Sequence, residues 1–302
     1  IVSKKHKFFK DNITFYKGDL NDYIFLNEIF NLENNSLFPI TKVIHLAGLK
    51  SVSESIKDPL SYWSKNILST INLLKVMEKF NCRNIVFSSS ASVYDNSKSL
   101  HNENSSINPL NPYGNTKYAI EKLLLDVYKN KPNDWRIISL RYFNPIGAHY
   151  SGLIGELPVG IPNNIFPLLN RVASREIDQI FIYGKNYETL DGTGIRDYIH
   201  VMDVAVAHLK AMEFLQRNDP QYLIMNIGTG KGTSVLDLIK TFEKINNVEI
   251  PFSFADPRNG DVAINIADNS LMKSLLKWEP ENNIEDMCKD GWRWEVNRNK
   301  DI

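Results

Sequence analysis

The chain has 302 residues, and its 35 Lys+Arg against 35 Asp+Glu leave a formal net charge of zero; 43% hydrophobic and 23% charged residues are ordinary for a globular domain. That length buries a substantial core as one large or two smaller domains, while the neutral balance, with no basic block, argues against nucleic acid as the main partner. No apolar run approaches the ~20 residues that span a bilayer, so no membrane partner is expected.

Two cysteines, Cys82 and Cys288, are too few for a disulfide framework and lack CxxC spacing, which points to a reducing, cytoplasmic setting. The six histidines show no metal-ligand spacing, so no metal site is expected. The opening Ile1-Val2-Ser3-Lys4-Lys5 has basic residues but no apolar segment after them, unlike a secretory leader, and lacks an initiator methionine. It reads as a chain that begins in the middle of something.

In chain order, Ile13-Thr14-Phe15-Tyr16 predicts a short strand ending in Gly18-Asp19, and Val43-Ile44-His45-Leu46-Ala47 a second closed by Gly48. A helix is predicted over 62–80, with Ile67, Ile71 and Leu74 at helical spacing. Ile85-Val86-Phe87 forms a third strand running into Ser88-Ser89-Ser90. A helix over 112–128 carries Ile120, Leu123, Leu124 and Val127 on one side, and Ile137-Ile138-Ser139-Leu140 is a fourth strand. Apolar strands alternating with long helices predict an α/β fold, a doubly wound parallel Rossmann-type sheet covered on both faces. After Pro158, Pro162 and Pro167 the pattern gives a helix over 166–174, a strand at 180–183 and the loop Asp191-Gly192-Thr193-Gly194. A helix over 201–215, a strand at 223–227 and a helix over 234–245 capped by Ser234 follow, with late helices beginning near 269 and 284. The division expected is a first domain over 1–150 and a smaller α+β domain over 151–302.

Ligands of open α/β sheets lie beyond the carboxyl ends of the strands. Asp19, Ala47-Gly48-Leu49-Lys50, Ser88-Ser89-Ser90 and Tyr142-Phe143-Asn144 all fall there, although small polar residues collect at any strand-to-loop transition. Tyr113 and Lys117 stand at i and i+4, on one helix face; an ammonium beside a phenol favours phenolate, which would lower the pKa of Tyr113 and make it a general base, with a serine hydroxyl sharing the proton. Among 13 tyrosines the same spacing recurs at Tyr94–Lys98 and Tyr118–Lys122. The first lies in a polar loop, and the second is turned about 140° from Tyr113 around the helix. Arg196 and Arg258 could converge on a pyrophosphate or form surface ion pairs with Asp197 or Asp256. Asn163-Asn164 could bind a ligand or cap the next helix. His45, inside an apolar strand, reads as a core histidine.

The blocks Gly18-Asp19-Leu20, His45-Leu46-Ala47-Gly48-Leu49-Lys50, Phe87-Ser88-Ser89-Ser90-Ala91-Ser92-Val93-Tyr94, Pro112-Tyr113-Gly114-Asn115-Thr116-Lys117, Arg141-Tyr142-Phe143-Asn144-Pro145-Ile146-Gly147-Ala148, Gly160-Ile161-Pro162-Asn163-Asn164 and Asp191 to Val201 resemble the UDP-glucose (UDP-galactose) 4-epimerases of the extended short-chain dehydrogenase/reductase superfamily. The resemblance covers nearly the whole chain. It implies tightly held NAD, a UDP-hexose substrate and a possible homodimer. Tyr113 would take the proton of the sugar 4-hydroxyl, assisted by Lys117 and Ser90, as hydride passes from C4 to the nicotinamide. The 4-keto sugar then rotates and accepts hydride on its other face.

By the same resemblance Asp19 and Leu20 flank the adenine, and Leu46, Ala47, Gly48, Lys50, Asn66, Ser88 and Phe143 line the rest of the cofactor. Ser90, Asn144, Asn164, Tyr183, Arg196, Arg258 and Asp261 hold the UDP-sugar. Asn265 stands where a tyrosine excludes N-acetyl groups, implying room for them.

The family opens with a strand, a G-x-x-G-x-x-G turn and a second strand, about 40 residues that this sequence lacks; the resulting expectation is an incomplete copy that holds NAD poorly or not at all. Two alternatives to the epimerase reading follow. One is another nucleotide-sugar epimerase or a 4,6-dehydratase, which would carry an acidic pair where Ala91-Ser92 stand; the other is a silent chain that retains nucleotide-sugar binding.

Overall fold

A computed structural model describes residues 13–95, 98–158, 160, 162–258 and 261–300. Its helices are α1 (Tyr23–Asn34), α2 (Val52–Lys57), α3 (Pro59–Lys79), α4 (Pro112–Asn130), α5 (Ile165–Ala173), α6 (Val201–Arg217), α7 (Val235–Asn246), α8 (Ser270–Leu276) and α9 (Ile284–Lys300). The strands are β1 (Lys42–His45), β2 (Asn84–Ser90), β3 (Leu100–His101), β4 (Arg136–Tyr142), β5 (Asn144–Ile146), β6 (Ile180–Tyr183), β7 (Ile195–Arg196), β8 (Tyr198–His200), β9 (Gln221–Ile227), β10 (Thr233–Ser234), β11 (Phe252–Ala255) and β12 (Ile264–Ala267).

The main sheet has the order β1-β2-β4-β9, parallel throughout. The side chains of β2 and β4 alternate between two covered faces, whereas Ile44 of the outer strand β1 stays exposed. Ile85, Phe87 and Ile137 pack with Leu26 and Phe30 of α1, Leu73 and Met77 of α3, and Ile120 and Leu124 of α4. Val86, Ile138 and Leu140 pack with Val204, Ala207 and Ala211 of α6 and Met272 of α8. Each such buried side chain is worth about 1.5–3 kcal/mol, which is why these strands read as continuous apolar runs.

The helices start where polar caps stop the orphan N–H groups from going unpaired. Asp58 accepts from the Ser61 N–H ahead of α3, and Asn111 from the Gly114 N–H ahead of α4, each followed by a proline at the first helical position.

The strand expected at 13–16 does not form. Residues 13–19 pair with no strand among the described residues, and Ile13 and Phe15 are exposed; an extended segment without a neighbour has no ladder to join. Helix α1 was not expected from the sequence, because only Leu26 and Phe30 bury on it. The helix and strand predicted at 201–215 and 223–227 pack on and extend the main sheet, β9 lying beside β4. The rest of the second half centres on the parallel pair β6–β11, with Phe166, Leu169, Ile182, Leu238, Phe242 and Met287 beneath it. A mixed sheet β10-β7-β12-β3 and the pair β5–β8 link the two regions. Among the described residues no helix is long and apolar enough to cross a membrane.

Candidate active site

The register of the main sheet sets Ser88, Ser89 and Ser90 beside Leu140, Arg141 and Tyr142, so the carboxyl ends of β2 and β4 finish level. The loop after β1 is held against them by one amide. Asn66 of α3 accepts from the Leu49 N–H at 2.7 Å, and its Nδ2 donates to the Leu49 carbonyl at 3.2 Å and to Thr116 Oγ1 on α4 at 3.0 Å. A Cβ added at Gly48 would stand 3.2 Å from Asn66 Oδ1 and 3.7 Å from Lys117 Nζ, so the bare backbone of this loop comes directly over the lysine. Leu46 beside it is an apolar side chain left 63% exposed.

Helix α4 sits close on the 3-10 turn Ala91–Val93 that continues β2: a Cβ at Gly114 would lie 2.4 Å from the Ser92 carbonyl oxygen. This approach brings Tyr113 and Lys117, both buried, against the strand ends. Lys117 Nζ donates to the Ser88 carbonyl at 2.8 Å and lies 4.9 Å from the Phe87 ring centroid and 5.8 Å from that of Tyr113. Burial pulls the ammonium down to about 8, with Glu121 opposing.

Tyr113 differs from the expectation of a lowered pKa. Its phenol is pushed up by burial, reinforced by Tyr142, and a hydrogen bond with Ser90 only partly opposes this. The reason is dielectric: a buried phenolate loses its hydration, and Lys117 directs its Nζ to Ser88 instead of to the phenol. The chain alone therefore holds Tyr113 protonated.

Ser90 Oγ donates to Ser92 Oγ at 3.1 Å and faces the same space as Tyr113. The Ser88 hydroxyl instead pairs with His208 Nε2 at 2.9 Å on the α6 side, so Ser88 serves the site through its carbonyl. His45 is buried beside Thr70 Oγ1 at 2.9 Å and, lowered to about 4 by burial and by Lys117, is neutral. Phe143 is buried at the end of β4, its N–H donating to Ile227, and Asn144 opens β5 with its N–H on the Asp197 carbonyl. Asp19 accepts from the Asn21 backbone and side chain in the turn before α1, and Leu20 packs on the α1–α3 core. Lys50 is paired with Glu156 at 2.5 Å, and Asn163 Nδ2 reaches Ser51 Oγ at 3.5 Å, which places Glu156 and Asn163 across from the loop after β1. Asn164 precedes α5 but makes no side-chain cap bond, leaving its amide free of that role.

The second-half candidates gather at the ends of β6, β7 and β12. Arg196 Nη1 donates to the Val262 carbonyl at 2.8 Å and its Nη2 lies 3.8 Å from Asp261. Arg258 stacks over the Tyr183 ring at 3.8 Å, and the Asp261 N–H donates to the Arg258 carbonyl. A cleft of about 510 Å³ lined by Gly184, Tyr187, Phe254 and Pro257 opens beside them. Asp197, offered as an ion-pair partner of arginine, is instead fully buried and binds Thr229, Gly230 and Ala267 N–H groups, locking the turn after β9.

The rival Tyr–Lys pairs resolve on burial. In Tyr118–Lys122 the half-buried ring packs against the cluster of Val93 and Phe143 while the lysine is exposed, its Nζ 5.7 Å from the ring. Tyr94, read as part of a loose loop, is buried: its hydroxyl donates to Asn226 at 2.6 Å and accepts from Arg141. Two participants escaped the sequence reading. Tyr62 accepts from the Ser51 N–H at 2.9 Å and fixes the β1 loop. Glu121, one turn beyond Lys117 on the same face, holds Ser89 and Arg141; the spacing 113, 117, 121 was its available signal.

A family model described as GDP-mannose 4,6 dehydratase matches residues 1–291. The chain is 45% identical over 285 residues to a UDP-glucose 4-epimerase of Pasteurella multocida, covering 94% of this chain and 82% of the relative, with the same figures for one of Bacillus subtilis. Among solved structures, the UDP-glucose-4-epimerase from Stenotrophomonas maltophila with bound NAD and formylated UDP-arabinopyranose superposes with a TM-score of 0.90 at 41% identity, covering 96% of this chain and 84% of that one. That from Bifidobacterium longum in complex with NAD+ and UDP gives 0.88 at 40% identity, covering 95% and 84%. With a parallel sheet whose strand ends carry Ser90, Tyr113 and Lys117, and with matches of this extent, the chain belongs to the UDP-glucose 4-epimerase family of extended short-chain dehydrogenases/reductases.

Proposed function

We propose that the protein interconverts UDP-glucose and UDP-galactose through a 4-keto sugar, with NAD as its resident cofactor. The observation that carries this reading is the burial of Tyr113, Lys117 and Ser90 together at the ends of β2 and β4, beside a loop whose glycine leaves room over the lysine. The residues present fit the nicotinamide half of the cofactor: a buried ammonium, the open approach over Gly48 and the uncovered Leu46 are what a flat, polar-edged ring would satisfy. When bound, the cofactor supplies a hydride acceptor and donor together with a positive charge.

Within that reading Lys117 orients the cofactor end of the site and keeps a positive charge near Tyr113. Burial alone keeps the Tyr113 phenol protonated, and the positive charges of Lys117 and of the bound cofactor would favour its phenolate. In that form Tyr113 takes the proton of the sugar 4-hydroxyl and returns it, and Ser90 hydrogen-bonds the same oxygen. Leu46, Ala47, Gly48, Lys50, Asn66, Ser88 and Phe143 hold the cofactor, with Asp19 and Leu20 at its adenine. Asn144, Asn164, Tyr183, Arg196, Arg258 and Asp261 hold the UDP-sugar; guanidinium forks suit a pyrophosphate and Tyr183 presents an open ring face. Ala91 and Ser92 follow Ser90 in the 3-10 turn, so no carboxylate stands there to eliminate water, which separates this site from a dehydratase.

The reading also makes the protein a cytosolic homodimer, supported by two buried unpaired cysteines and by Leu60, Trp63 and Leu68, which leave α3 with exposed apolar surface. The decisive test is to purify the protein, look for bound NAD and follow conversion of UDP-galactose. Tyr113→Phe is expected to cut turnover by about 10²–10⁴-fold with NAD retained. Undiminished turnover in that variant removes Tyr113 from the chemistry.

A further inference from the structure

On one helix face Tyr113, Lys117 and Glu121 follow at intervals of four, and the last of them lies deeper than the other two need. Glu121 is 2% exposed. Its carboxylate accepts from Ser89 Oγ at 2.5 Å and from Arg141 Nε at 2.9 Å and Nη2 at 2.6 Å. Arg141, also 2% exposed, sends Nη1 to the Tyr94 hydroxyl at 3.1 Å, and Tyr94 continues to Asn226 on β9. A single side chain of α4 thus grips the two central strands one residue before they end.

We propose that Glu121 is a positioning residue for the reaction: it ties α4 to the carboxyl ends of β2 and β4, so that Lys117 and Tyr113 stay in register with the Ser88 carbonyl and Ser90, and it provides the buried counter-charge for the Lys117 ammonium. The inference rests on the epimerase reading of Tyr113 and Lys117.

Ser88, Ser89 and Ser90 are consecutive. Ser88 gives its carbonyl to Lys117, Ser89 its hydroxyl to Glu121, and Ser90 its hydroxyl to the Tyr113 side. A shift of the helix along β2 therefore moves all three contacts together, and Glu121 is the one whose bonds are charge-assisted and directed from two strands.

The charges around Lys117 support the second role. His45 from β1 is neutral, being lowered to about 4, and the phenols of Tyr62 from α3, Tyr113 from α4 and Tyr142 from β4 are all raised by burial and uncharged. Glu121 and Arg141 remain as the charged groups of this set, and only Glu121 favours the ammonium. A buried ion pair alone is weak evidence for a stabilising purpose, since apolar replacements often serve as well. The triad of contacts to the site's own strand is what gives this one a functional role.

The test uses Glu121→Gln, the double variant Glu121→Met/Arg141→Met, and Ser89→Ala. Epimerisation by the parent protein is measured first, and its absence counts against the underlying function, not against Glu121. In Glu121→Gln the alkaline limb of kcat is expected to move down by about 1 pH unit, because an ammonium without its counter-charge loses its proton sooner. NMR titration of ε-labelled lysines, assigned with Lys117→Met, is expected to show the same movement for Lys117 with no substrate present. The double variant removes both partners of the Glu121–Arg141 pair, so neither is left buried alone. It is expected to keep the parent's thermal stability, to show the same downward shift of Lys117 as Glu121→Gln, and to lose kcat roughly tenfold with KM held within about twofold. Ser89→Ala is expected to lose several-fold in kcat, and it decides the matter where the other two do not fold. Parent-like kcat, pH profile and lysine titration in the folded variants would show that Glu121 is a core ion pair and nothing more.

Discussion

Replacing Lys117 with methionine is expected to stabilise the folded chain at neutral pH while removing its activity. Lys117 is held at about 8, against 10.5 for a lysine in water. At about 1.36 kcal/mol for each pKa unit, keeping it charged in the fold costs about 3 kcal/mol. Methionine matches the length of the stem and carries no charge to desolvate. It loses the 2.8 Å bond to the Ser88 carbonyl, worth about 1 kcal/mol. The difference is a gain of about 2 kcal/mol at pH 7, or several degrees in Tm.

The sign of the pH dependence follows from the order of the two values. Below about 8 the lysine is protonated in both folded and unfolded chains, and the parent bears the full penalty. Between 8 and 10.5 the unfolded chain binds more protons, so the parent's stability rises with pH, and above 10.5 the penalty is gone. Urea unfolding of nucleotide-free parent and variant at pH 7 and above pH 10.5 measures this: the advantage of methionine should shrink across the window and reverse by about 1 kcal/mol. Turnover should be down by ~10²-fold or more. A variant less stable than the parent at pH 7, or a difference that does not change with pH, would refute the idea that the fold spends stability to bury this charge.

Gly114→Ala is expected to cost about 1–3 kcal/mol, because the new methyl meets the Ser92 backbone at 2.4 Å, and to lower kcat more than it raises KM by tilting Tyr113; thermal melts and steady-state kinetics read both. Arg258→Ala removes the cation over Tyr183 and is expected to raise KM for UDP-galactose about 10–100-fold with little change in kcat. Asn265 lies on β12 opposite Arg196 with its buried Oδ1 unpartnered. Turnover of UDP-N-acetylgalactosamine is expected in the parent and should disappear in Asn265→Tyr while UDP-galactose is still converted; no turnover in the parent would overturn this.

Much of the architecture was legible because its central strands are buried on both faces. Ile85-Val86-Phe87 and Ile137-Ile138 are apolar runs that fit little else, Val43-Ile44 has the same strand character although Ile44 stays exposed, and the helices between them carry proline at the start and polar caps just ahead. The 13–16 strand misled, since its residues have strand character but strand formation depends on a neighbour. Of the site, the Tyr113–Lys117 pair could be read from spacing, but its electrostatics could not: whether a phenol is raised or lowered depends on how dry its surroundings are, and on where Nζ points. Ser88 shows the same limit. Its place at a strand end was evident, yet the pleat turns its hydroxyl to His208 and leaves only its carbonyl to the site. Glu121 looked like any helical glutamate until the fold brought two strands to it.

The pairing of β4 with β9 has a consequence for synthesis. Ser139, Leu140 and Arg141 are hydrogen-bonded neighbours of residues 224–226, which the ribosome makes only after α5, the β6 strand and α6. The floor of the site therefore cannot be completed while the first half alone has emerged, and its nascent sheet must wait with an open edge. Cutting the gene near residue 150 would for the same reason yield two pieces that each lack part of a shared layer.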